Sequence, residues 1–138
     1  MENIKGETRS EYHAGNNFKL DEKQNYKILT EKLLGKINIT SHLDGCGELA
    51  ICISEKIANP KMKCNQLYDV AGCVYEKNRF SIYSNIKYAL RQWDDKCAEK
   101  LNNVFGTDLF KEKVFGNYKF ICTVAKLIEL YPEKISKE

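Results

Sequence analysis

Apolar residues recur along this chain at three- and four-residue intervals and almost nowhere in strict alternation, a pattern that predicts helices joined by short connectors. From Tyr26, the residues Ile28, Leu29, Leu33 and Leu34 make a stripe that should end near Gly35, with Ile37 and Ile39 continuing into a connector. Thr40, Ser41 and Asp44 offer capping oxygens ahead of Gly45. Leu49, Ile53 and Ile57 then return every fourth residue as far as Asn59-Pro60, where proline stops a second helix. Leu67, Val70, Ala71 and Val74 give a short third helix starting near Lys63. Its Ala71-Gly72 pair is small enough to let another helix cross closely, although Gly72 weakens the helix that carries it.

Asn78 is placed to cap a fourth helix whose apolar face is Ile82, Ile86, Ala89, Leu90, Trp93 and Cys97. Leu101, Val104 and Phe105 close a fifth element before Gly106, and 107–116, with Lys111 and Lys113, reads as a connector holding at most a turn of helix. A last helix from about Tyr118 turns Phe120, Ile121, Val124, Leu127, Ile128 and Tyr131 inward and stops at Pro132. The expectation is an all-α domain of about six helices around a helix-turn-helix core, rather than a winged variant, because no segment alternates as a strand would. Residues 1–25 mix both charge signs with Gly6, Gly15, Asn16 and Asn17 and show no sustained period. They read as a flexible N-terminal arm ahead of a helical domain at 26–138.

Length fits one folded unit: 138 residues suffice for one hydrophobic core and not for two. A net charge of +3 makes the chain mildly basic, so the local distribution of charge has to carry any case for a polyanionic partner. The six cysteines, at 46, 52, 64, 73, 97 and 122, form no CxxC pair, and only His13 and His42 accompany them. Neither a zinc site nor any other cofactor is expected, and the cysteines read as free thiols and in most cases as small core residues, Cys52, Cys97 and Cys122 among them. No apolar leader segment and no apolar run approaching about 18 residues is present, which points away from secretion and membranes and toward the cytoplasm. His42 stands beside Ser41 and Asp44, but residues adjacent in sequence do not generally converge as a proton relay needs. With no phosphate loop, HExxH or paired-carboxylate helix elsewhere, an enzyme is not expected.

The fourth helix carries the candidate chemistry. Between Lys77 and Trp93 stand Lys77, Arg79, Lys87 and Arg91 and no acid, whereas Asp94 and Asp95 follow at once. Those four cations are the expected phosphate contacts. Ser81, Ser84, Asn85 and Tyr88, near the face opposite Ile82 and Ile86, are placed to touch base edges of double-stranded DNA in the major groove. Phe80 and Tyr83 are unusually apolar for a groove-reading turn. They favour a rival in which the scaffold binds another protein, for example as an antagonist of a related regulator. A homodimer on DNA is a further expectation of the first reading.

Three segments carry a family resemblance: Ile37-Asn-Ile-Thr-Ser-His-Leu-Asp-Gly-Cys-Gly-Glu-Leu49, then Leu67-Tyr68 leading to Ile82-Tyr-Ser-Asn-Ile-Lys-Tyr-Ala-Leu90, and Asn117-Tyr-Lys-Phe-Ile-Cys-Thr-Val-Ala125. In this order, over about 28–128, the chain resembles the C-terminal DNA-binding effector domain of the master response regulator of endospore formation, its stage-zero transcription factor. The resemblance implies a helix-turn-helix regulator of transcription. The frame over Phe80 to Leu90 matches, while the reading face differs: where the family places Ser, Arg, Glu, Arg and Arg toward DNA, this chain has Phe80, Ser81, Tyr83, Ser84 and Lys87. The family's target sequence therefore does not carry over. The first 25 residues are too short for the receiver domain that precedes the family's effector, so control by aspartyl phosphorylation is not expected.

Overall fold

Every described element of the computed structural model is a helix. Across the described residues, 11–37, 39, 44–91, 95–110 and 116–136, seven helices follow one another and no strand forms. They are α1 (Glu11–Lys36), α2 (Asp44–Ala58), α3 (Cys64–Tyr75), α4 (Arg79–Leu90), α5 (Asp95–Phe105), α6 (Asn117–Leu130) and α7 (Pro132–Ser136).

At the centre stands α2, which packs against α1, α3, α4 and α6. This placement explains its composition: Cys46, Leu49, Ala50, Ile51, Cys52, Ile53 and Ile57 are buried all around the helix rather than along one stripe. At Gly45 a Cβ would overlap the Asn85 carbonyl and crowd the Ala89 methyl, so glycine there is what lets α2 and α4 touch backbone to backbone. Gly45 is thus a point of close helix crossing that the small Ala71-Gly72 pair did not mark. The exit from α2 is fixed by Lys56, whose ammonium donates to the carbonyls of Pro60 (2.6 Å) and Met62 (2.8 Å) and to the Tyr118 hydroxyl (3.0 Å).

Several expected boundaries move. The first helix is continuous from Glu11, ahead of the Tyr26 start, because a stretch that is polar nearly all round advertises no stripe. Residues 1–10 of the expected arm lie outside the described residues. The inward face of α1 is Thr30, Leu33 and Leu34, with Ile37 buried just past its end. Ile28, about 200° around the helix from Thr30, is 57% exposed and does not belong to the core stripe.

Helix α4 ends at Leu90, so Cys97 belongs to α5 and not to one long fourth helix. The Arg91 N–H is shared between the Lys87 and Tyr88 carbonyls, which tightens the last turn, and the next helix opens at residue 95. The four-residue spacing from Ile82 to Cys97 runs across this break by coincidence. Trp93 lies outside the described residues, as do Thr40, Ser41, His42, Lys111 and Lys113. At the C-terminal end α6 stops short of Pro132 as its pattern predicts, but a further short helix follows: Pro132 opens α7 at the position where its missing N–H costs nothing, and Ile135 is buried. Tyr131 caps α6 at 39% exposure rather than facing inward.

Candidate nucleic-acid interface

The elements that present the expected site are α3, the turn 76–78 and α4. Gln66 accepts from the Lys63 N–H at 2.7 Å and starts α3. Leu67, Tyr68, Ala71 and Gly72 are its buried face, with Val74 at the edge of that face and 59% exposed. The chain leaves α3 through Glu76 in the left-handed region (φ 57°), and the Lys77 N–H returns to the Gly72 carbonyl at 2.9 Å. A Cβ on residue 72 would meet the Lys77 carbonyl, so the glycine serves this turn. Asn78 then caps α4, its side-chain oxygen accepting from the Ser81 N–H at 2.9 Å.

Ile82, Ile86, Ala89 and Leu90 press α4 onto the core, each at 2% exposure or less. Burying an isoleucine contributes roughly 1.5–3 kcal/mol. Asn117, at the start of α6, donates to the Tyr83 carbonyl at 3.1 Å and fixes the middle of the helix. The Tyr83 ring stands edge-on to Tyr68, centroids 6.1 Å apart. Burial, and secondarily hydrogen bonding with Cys64, raises the Tyr68 phenol well above the ordinary tyrosine range.

The eight expected site residues divide into two groups. Ser84, Lys87 and Tyr88 of α4 and Arg91 at its C-cap stand exposed along one outward stripe, continuous with Phe80, which is 75% exposed. Lys87 lies 5.6 Å above the Tyr83 ring and donates to its hydroxyl at 3.3 Å. The others are engaged or partly covered. Ser81 is half-buried. Arg79 clasps Asp69 of α3 through both Nε and a terminal nitrogen, and this hydrogen bonding lowers the Asp69 carboxyl below its usual range. Lys77 and Asn85 both turn inward to Glu48 of α2, Lys77 Nζ at 2.9 Å and Asn85 Nδ2 at 3.2 Å from the same oxygen.

Asp69 and Glu48 are the two partners that sequence reasoning missed. Asp69 left no signal, being one exposed acid among others. Glu48 left one: it is the single charged residue between Gly45 and Ser54, in a segment otherwise small or apolar. A charge there has to be paired or pushed to the surface.

No family model, no curated protein and no solved structure matches this chain. Among the described residues no helix is long and apolar enough to cross a membrane, and no three His, Cys, Asp or Glu side chains gather as metal ligands would.

Proposed function

We propose that α3, the turn 76–78 and α4 act as a helix-turn-helix that docks on double-stranded DNA, with α4 entering the major groove and the chain working as a cytoplasmic regulator of transcription. What carries this reading is the outward stripe of α4. Ser84, Lys87, Tyr88 and Arg91 offer two cations, two hydroxyls and no carboxylate, on a helix whose other face is locked to the core. Two twelve-residue helices joined through three residues support it, as does the resemblance to the sporulation effector domain. The test is a titration of mixed and selected duplexes at several salt concentrations: affinity should fall steeply with salt.

A second reading draws on Phe80, Tyr83 and Tyr88, which are 75%, 42% and 54% exposed. Aromatics of this kind anchor protein interfaces, and with Lys77 and Arg79 already paired to acids the surface is less basic than its sequence. Absence of duplex binding at low salt favours a protein partner for the same stripe.

A further inference from the structure

We infer that Glu48 is a latch that sets what α4 can offer to DNA: it holds Lys77 and Asn85 inward and so withdraws one cation and one amide from the reading surface. The functional half of this inference rests on the DNA-binding reading, and the structural half on geometry alone. The Glu48 carboxylate is fully buried in α2. Its Oε2 receives both the Lys77 ammonium and the Asn85 amide, while Oε1 is buried with no hydrogen-bond partner among the described residues.

As a device for stability this is a poor choice. A charged group loses its hydration on burial, and the stranded oxygen adds to the cost, whereas an apolar residue of similar size would fill the same space with neither penalty. What the carboxylate does achieve is control over where two side chains go, one on the turn and one on the helix behind it. A lysine in the turn before a helix stands beside the positive end of the helix dipole, where a phosphate would meet an ammonium that extended into solvent. Here the Lys77 side chain is 29% exposed, paired to Glu48, with its ammonium 5.9 Å from the Tyr75 ring. Its charge is cancelled before any DNA arrives, and Asn85 commits one of its two amide hydrogens to the same carboxylate.

The test compares wild type with Glu48→Gln, which keeps the shape and removes the charge. Lysine acylation followed by peptide mass spectrometry should label Lys77 more slowly than Lys87 in the wild type. In Glu48→Gln, Lys77 should label several-fold faster with Lys87 unchanged. Against a mixed-sequence duplex, Glu48→Gln should bind more tightly at low salt with a log–log salt slope steeper by about one, and adding Lys77→Gln should erase that gain. Should Glu48→Gln fail to fold, the wild-type rates still decide, together with Lys77→Gln, which should leave the wild-type salt slope unchanged. Equal acylation of Lys77 and Lys87 in the wild type overturns the inference, as does a Glu48→Gln protein whose Lys77 labelling and salt slope both match the wild type. No duplex binding by either protein would overturn the DNA-binding reading and the withdrawal of Lys77 from DNA with it. The acylation rates would then still decide whether Glu48 holds Lys77.

Discussion

Arg79, the first residue of α4, reaches back across the turn to Asp69 of α3 and grips both carboxylate oxygens. The two helices are thereby joined through side chains as well as through the turn, at the cost of a cation that the sequence alone would assign to phosphate.

That grip has a pH signature. Hydrogen bonding by Arg79 holds the Asp69 carboxyl below its usual range. Its contribution is therefore present above the unfolded-state value and lost as pH falls through the lower folded-state value. A carboxyl NMR titration should place the Asp69 midpoint below that of the same residue in Arg79→Gln. Coincident midpoints would show that the pair does not form in solution.

Packing separates two faces of α4 by stability. Ile86→Ala should cost about 2–5 kcal/mol, because its side chain is completely buried. Phe80→Ser, at 75% exposure, should stay within about 0.5 kcal/mol of wild type. Urea denaturation monitored by circular dichroism reads both, and similar losses for the two would mean that α4 does not pack by the face described.

Glycines 35 and 45 should respond in opposite directions. Gly35→Ala adds a methyl into open space within α1 and should stabilise by up to about 1 kcal/mol. Gly45→Ala drives a methyl into the Asn85 carbonyl and should destabilise by about 1–3 kcal/mol. Thermal melts of the two variants check the sign of each.

All six cysteines are free thiols, and they differ sharply in environment. Burial, reinforced by neighbouring Cys64, Glu48 and Glu55, pushes the Cys52 thiol up to about 12, and its Sγ donates to the Leu67 carbonyl at 3.6 Å. Cys73 is exposed. Time-resolved alkylation of the native protein should modify Cys73 early and Cys52 last. Rapid labelling of Cys52 would mean that α2 is not enclosed.

On the outward stripe, Lys87→Ala and Arg91→Ala should each lower the salt slope of duplex binding by about one. Ser84→Ala should alter the preference among sequences more than the overall affinity. Unchanged slopes in both cation variants would turn the reading toward a protein partner.

Much of the fold was legible because burial leaves a period. Leu49, Ile53 and Ile57 announced α2, Asn59-Pro60 its end, and Asn78 with Ile82 and Ile86 the start and inner face of α4. Periodicity is blind to a break that keeps phase, and so the step from α4 to α5 went unseen between Leu90 and Cys97. It is equally blind to helix without a stripe, as in the first turns of α1, and to a five-residue helix such as α7. The candidate site was legible as a position on α4 but not as a set of available groups. Whether a lysine faces solvent depends on a carboxylate 29 residues away in sequence, and no local spacing records that.

The central position of α2 sets the order in which this molecule can come apart. A helix flanked by α1, α3, α4 and α6 has no side from which it can fray alone. The amide hydrogens of Leu49 to Ile53 should therefore exchange with solvent deuterium only through complete unfolding, while the ends of α5 and α7 exchange through small local openings. Bound to a partner along the outward stripe of α4, the protein would hold those central amides longer still, by the free energy of binding itself. The slowest-exchanging helix would then report on a ligand it never touches.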